Sequence, residues 1–292
     1  MRTKTVILSA AILVATLFFQ TPFLAASQKS ETSDFYSALK AALDLAAFYG
    51  GANKVLVIFD VDNTLLKSAT SLGSDQWFNW QLGMILSPPA ESLRKYVLAK
   101  DRNELLDLQG TLYERGSMVP PESESPLVVK ALQDLGFSCM VLTSRGTKFK
   151  DATMRELRRN GYEFRDRAPL LNGDPYADPD DGLDYADGVF LTSGADKGLM
   201  LSSFLGKLAA GSEYKAIVFM DDSLKNTESV SNMPDGSAFD MSVIRYARED
   251  SVVRDFKANR DGIWDIVKDQ GERIKPLTGE KRTSRPVARR PN

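Results

Sequence analysis

The sequence predicts an α/β domain built on a parallel sheet, and three observations predict it. Short apolar runs alternate with helical patterns along most of the chain. Residues able to do chemistry follow the ends of those runs, where a parallel sheet presents its loops. One long segment after the first run breaks the alternation and reads as an inserted helical cap.

The elements follow in chain order. Arg2 and Lys4 precede an apolar run from Val6 to Phe19, and small residues Ala25, Ala26 and Ser27 come after it. That run is too short for a comfortable membrane span and right for a signal-peptide core, so residues 1–27 read as a cleaved export signal. The protein is then expected to be periplasmic or secreted, with no membrane span after cleavage; a retained amino-terminal anchor is the alternative. A helical pattern runs from Asp34 to Tyr49, followed by the strand VLVIF, Val55 to Phe59. The insertion spans about residues 67–123 and holds Trp77, Phe78 and Trp80, a helical stretch from Ala90 to Tyr113, and the break Pro120-Pro121. Ser125 then reads as a helix cap with Pro126 in first position, and Leu127, Val128, Ala131, Leu132 and Leu135 form an apolar stripe that Gly136 ends. Strand runs follow at Phe137 to Leu142, Gly188 to Ser193, Ala216 to Met220 and Ser242 to Tyr246, with helices at Lys148 to Asn160 and Lys197 to Leu208. The stretch from Arg165 to Asp187, rich in Asp, Gly and Pro, reads as a long loop or small hairpin over the same sheet edge.

Composition narrows the chemistry. The 292 residues include no histidine and a single cysteine, Cys139, which excludes histidine-dependent triads, His/Cys zinc sites and intramolecular disulfides. Any metal must sit on oxygen ligands. The formal net charge is −2, and setting aside Arg2, Lys4 and the tail from Lys275, with its six basic residues and one acidic, leaves about −9 for the core between them. Specific nucleic-acid binding is therefore not expected. The tail 275–292, with its prolines, charges and scant apolar content, predicts no packed structure.

In VLVIFDVDNTLL, Asp60 and Asp62 follow a fully apolar strand, and Asn63-Thr64 turns the chain away. An aspartate at a strand end can attack phosphorus, and a second carboxylate two residues on can protonate a leaving oxygen and later deprotonate water. Paired aspartates there also serve as turn formers or calcium ligands. FSCMVLTSRG ends the next strand at Thr143-Ser144-Arg145, where a hydroxyl can bond a phosphate oxygen. ADKG places Lys197 at a helix start, where both its charge and the helix amino-terminus favour an anion. KAIVFMDDSLKN ends a fourth strand at Asp221-Asp222, hard oxygen ligands suited to magnesium.

Taken in this order, DVDNT, LTSR, ADKG and MDD resemble the four motifs of the haloacid-dehalogenase (HAD) superfamily across most of the chain beyond the signal. The combination is also similar to an exported bacterial branch of unknown function, and Thr143 to Arg145 to the secreted HAD acid phosphatases. The resemblance implies a Rossmann-like HAD core with a parallel sheet and an inserted helical cap. It implies an Mg²⁺-dependent phosphomonoester hydrolase acting on a small-molecule phosphoester. Asp60 would be the nucleophile and a metal ligand, and Asp62 the acid/base that gives its backbone carbonyl to the metal. Thr143 and Lys197 would bind phosphate, Asp221 would hold the metal, and Asp222 would assist it. Asn63 stands where many relatives carry glycine, and Arg145 and Asn226 lie beside motif positions with no general role. Asp62 argues against dehalogenation, whose enzymes lack that second aspartate. The rival reading is a catalytically weak HAD-fold protein that recognises a phosphorylated partner. Outside the motifs, Trp77 and Trp80 read as cap core in preference to a stacking platform, Cys139 as a buried small residue, and Asp174 to Asp187 as a solvated acidic loop without EF-hand spacing.

Overall fold

The computed structural model describes residues 27–172, 177–178 and 182–258. All but the last residue of the expected signal segment and the whole expected basic tail lie outside the described residues, as does part of the acidic stretch.

Ten strands are described: β1 (Gln28–Thr32), β2 (Val55–Phe59), β3 (Lys67–Ser68), β4 (Met118–Val119), β5 (Ser138–Thr143), β6 (Ala177–Asp178), β7 (Leu183–Ala186), β8 (Val189–Leu191), β9 (Ala216–Asp221) and β10 (Asp240–Tyr246). Between and after them lie the helices α1 (Tyr36–Tyr49), α2 (Asp75–Leu86), α3 (Arg102–Arg115), α4 (Ser125–Asp134), α5 (Lys150–Arg159), α6 (Lys197–Leu205), α7 (Leu224–Ser231) and α8 (Asp250–Ala258). Eight strands form one sheet in the order β1-β10-β9-β2-β5-β8-β7-β6. The first six run parallel, and β7 and β6 extend the sheet as an antiparallel hairpin. The result is an α/β fold of Rossmann type with helices on both faces of a mostly parallel sheet.

Strand β2 explains why both faces must be covered. Its five residues are all buried, and their side chains alternate between two cores. Val55, Val57 and Phe59 join the core beneath α1, α4 and α5, while Leu56 and Ile58 join the one beneath α6 and α7. After β2 the chain continues to β5 on one side and returns later to β9 on the other. The reversal of strand order beside β2 opens a crevice at the carboxyl ends of the strands, the usual ligand position in such sheets.

The segment between β2 and α4 is a separate small module. It is stemmed by the antiparallel pair β3–β4 and packed around Leu72, Trp77, Ala99, Leu105 and Leu108. Trp77 is fully buried, and Trp80 meets Phe256 of α8 edge to face at 5.9 Å, so both tryptophans serve the module's core. Gln81 replaces backbone partners inside the module, donating to the Tyr96 carbonyl at 3.1 Å and accepting from the Leu98 amide at 3.0 Å.

Several elements differ from expectation for local reasons. The stretch Ala90–Tyr113 is not one helix: Glu91–Tyr96 is a 3₁₀ turn, and α3 starts only where the Asp101 carboxylate caps the Glu104 amide at 2.9 Å. Ser125 does not cap α4 but lies inside its first turn, its hydroxyl bonded to the Glu122 carbonyl and the Tyr162 hydroxyl. Part of the Arg165–Asp187 stretch adds β6 and β7 to the sheet. Strand β1, polar and largely exposed, gives no apolar signal and is held by parallel pairing to β10.

Candidate active site

Four strand or helix ends meet at the crevice. Asp60 is the first residue after β2, with its amide donating to the Met220 carbonyl of β9 at 3.0 Å. The turn that follows is tight: the amides of Thr64, Leu65 and Leu66 all reach the Val61 carbonyl. It requires φ of +58° at Asn63, a left-handed conformation that asparagine tolerates well and in which glycine is the commonest residue. Asn63 also donates to Asp222 at 3.2 Å, and the Thr64 hydroxyl accepts from the Asp222 amide at 3.1 Å.

Asp60, Asp221 and Asp222 form a carboxylate cluster in which one oxygen of each lies within 4.8 Å of the others. Lys197, fully buried at the start of α6, donates to Asp60 and, at 2.6 Å, to Asp221. Its place is fixed by Asp196, which caps the helix at the Leu199 amide, and by Gly198, where a Cβ would lie 2.3 Å from the Ser229 carbonyl of α7. Asn226 donates to both oxygens of Asp221, at 3.1 and 3.2 Å, so this residue beside the motif steadies the motif itself.

The electrostatics are those of crowded acid in a buried site. Burial pushes Asp60 up to about 8 against the pull of the Lys197 ammonium, with the charges of Asp221 and Asp62 adding to the rise. Burial likewise lifts Asp222 well above the usual carboxylate range, helped by the charges of Asp221 and Asp60. Burial alone would lower Lys197, but Asp221 and Asp60 outweigh it and hold the ammonium charged. Three carboxylates face one ammonium, and a divalent cation would neutralise the excess. Hard oxygen donors grouped this closely fit magnesium.

Asp62 lies outside this cluster. Its carboxylate is gripped by Arg145, Nε donating to Oδ2 at 2.9 Å and Nη2 to Oδ1 at 2.7 Å. A metal role for Asp62 would therefore fall to its backbone carbonyl, as the resemblance implies. Thr143 ends β5 almost wholly buried, its hydroxyl accepting from the Arg145 amide at 3.2 Å, whereas Ser144 is exposed. Arg145, which lies beside a motif position with no general role, is a buried partner of Asp62.

Sequence reasoning missed the contribution of the inserted module. Asp75, in the first turn of α2, is pushed up to about 6, first by burial and then by the charge of Asp62, with Arg145 pulling the other way. Tyr113 of α3 lays its ring 4.1 Å from the Arg145 guanidinium. Neither residue sits in a motif, and both reach the site through packing of the module, for which the sequence carries no local signal.

Comparison with known proteins adds the following. Residues 30–263 match the family described as "Protein of unknown function (DUF2608)". A Chlamydia pneumoniae protein that carries the name of an outer membrane protein is 25% identical over 182 residues, covering 59% of this chain and 64% of that protein. The chain thus spans less than two thirds of that relative's length. A crystal structure of cytosolic 5'-nucleotidase IIIB bound to cytidine aligns over 84% of this chain and 95% of its own at 13% identity. Its TM-score of 0.31 is too low to bear on fold or function. Among the described residues, no helix is long and apolar enough to cross a membrane.

Proposed function

This chain belongs to the DUF2608 family, and we propose that it is a HAD-type, magnesium-dependent phosphomonoester hydrolase whose nucleophile is Asp60. The observation that carries the reading is the meeting of Asp60, Asp221, Asp222 and Lys197 at one sheet edge, with Asp62 close by on Arg145.

In the proposed cycle the Asp60 carboxylate attacks phosphorus in line, and the bond from phosphorus to the leaving oxygen breaks. Asp62 gives that oxygen a proton. A water then attacks the aspartyl-phosphate, losing its proton to Asp62, and phosphate leaves as the Asp60 carboxylate is restored. Lys197 lies against the Asp60 oxygen, where it can neutralise charge developing on the phosphoryl group, and Thr143 ends the neighbouring strand as a hydroxyl donor. Magnesium, held by Asp60, Asp221 and Asp222 with the Asp62 carbonyl, would supply further charge neutralisation. The module between residues 67 and 123 serves as the cap that encloses the leaving group. Export fits the name of the Chlamydia relative, with the amino-terminal segment cleaved near residue 27.

The experiment is a phosphate-release screen over many phosphoesters with magnesium, repeated after exhaustive chelation. Release that vanishes with EDTA and returns with magnesium supports the proposal. Undiminished release after chelation removes the metal assignment, and no release from any ester moves the protein to the phosphorylated-partner binder.

A further inference from the structure

Building on that reading, we propose that Arg145 is a positioning residue for Asp62 and that the inserted module sets its position through the ring of Tyr113. The way the module seats on the core would then govern where the acid/base carboxylate stands.

Arginine offers five N–H groups in a fixed fork. Nε and one Nη2 hydrogen grip Asp62 in parallel, Nη1 donates to the Thr153 hydroxyl of α5 at 3.0 Å, and Nη2 also lies 3.1 Å from the Met118 sulfur of β4. With four of the five directions committed and the residue only 5% exposed, Arg145 is not poised to gather substrate phosphate. A bidentate grip fixes both distance and plane of the carboxylate, which a lysine could not do.

Two of the groups around the guanidinium come from the inserted module, Tyr113 from α3 and Met118 from its stem strand. Tyr113 covers the face that hydrogen bonds leave open, at 4.1 Å, a cation–π contact that holds the fork in its plane. Its ring in turn meets Phe149 edge to face at 5.3 Å. Gly110, one turn earlier on α3, permits that seat: a Cβ there would stand 3.0 Å from the Phe149 ring. The chain of contacts runs from α3 through Tyr113 and Arg145 to Asp62, and each link is packed or hydrogen-bonded.

A purely structural role, with Arg145 only tying the module to the core, is the rival. The variants Arg145→Lys, Arg145→Met, Tyr113→Phe and Tyr113→Leu separate the two, read by crystal structures and by turnover of an alkyl phosphate against an aryl phosphate with a good leaving group. In Arg145→Met and Tyr113→Leu the Asp62 carboxylate should leave its place, and alkyl phosphate turnover should fall by about 10²-fold, the scale of a small misplacement, with aryl phosphates less affected. Tyr113→Phe keeps the ring face and should keep Asp62 in place; Arg145→Lys, which retains charge and foldability, should not. An Asp62 carboxylate that stays put in Arg145→Lys and Tyr113→Leu overturns the proposal, as does an equal loss on both ester classes. If the wild type hydrolyses nothing, the phosphatase reading falls by itself, and the position of Asp62 in the same crystals still decides whether Tyr113 and Arg145 set it.

Discussion

Asp60 and Asp62 are two residues apart in sequence and belong to two different parts of the molecule. Asp60 stands just past the end of the central strand β2, almost wholly buried, among groups that all come from the sheet edge: Asp221 from β9 and Lys197 from α6. Asp62 stands where core meets insertion, a fifth exposed at its side chain, and its partner Arg145 is covered by Tyr113 of the inserted module. One half of the site is thus set by backbone topology and the other by how insertion and core pack. The first half crowds carboxylates into a buried site, which raises Asp60 and Asp222, while the second rests on one ion pair between core residues that the insertion covers.

The largest effect should fall on the topological half. Asp60→Asn keeps size but removes the charge that the proposed mechanism uses for attack and metal binding, so phosphate release should drop by about 10⁴ to 10⁶-fold, the scale seen when a catalytic nucleophile is lost. Because asparagine fills the same buried space, the metal-free fold should survive. Activity within tenfold of wild type would remove Asp60 from the mechanism.

The boundary half should answer more selectively. Asp62→Asn removes a proton donor and acceptor, typically worth about 10² to 10⁴ in rate, and the loss should be greater for alkyl phosphates than for activated aryl esters. Equal slowing of both classes at the bond-breaking step contradicts a general-acid role.

This contrast also tracks what could be read from the sequence. Asp60, Lys197 and Asp221 were legible because each follows a local pattern, a buried apolar strand or a helix start, whose end a parallel sheet must bring to one edge. Asn63 was legible as a turn residue, and its positive φ bears that out. Asp75 and Tyr113 were not, since no local pattern in α2 or α3 marks them and only the docking of those helices brings the two side chains to the site. Arg145 was seen but not understood, because its meaning lies in Asp62, 83 residues away. Strand β1 escaped for the converse reason: its five polar residues carry no strand pattern, and backbone pairing to β10 alone defines it.

Stability should divide along the same line. Phe219 lies in the middle of β9 in the main core, and Leu105 in the separate core of the insertion, both fully buried. Phe219→Ala should cost about 3–5 kcal/mol and lower protection of the whole sheet, whereas Leu105→Ala, at about 2–5 kcal/mol locally, should loosen the insertion first. Hydrogen exchange read peptide by peptide would show amides of α2 and α3 exchanging faster in Leu105→Ala while those of β2 hold. If β2 loosens equally, insertion and core are one cooperative unit and the contrast drawn above fails.

The smallest expected effect is the one that isolates the carboxylate cluster from catalysis. Asp60 is raised by burial from the ordinary value of 3.8 to about 8, so between those limits the folded metal-free protein holds a proton that the unfolded chain has released. The folded state then binds more protons than the unfolded one, and metal-free stability falls as pH rises from about 4 through about 8. In the proposed site, magnesium would compete with that proton for the same oxygens. Its stabilising effect should therefore be slight at pH 5 and grow toward pH 8, approaching about 2.7 kcal/mol where the ion is a hundredfold above its dissociation constant. Thermal midpoints taken with and without magnesium across this range test it, with Asp60→Asn as the control that should flatten the dependence. A magnesium shift of the same size at every pH, or one that Asp60→Asn leaves intact, would place the ion elsewhere and detach the buried half of the site from the metal proposed for it.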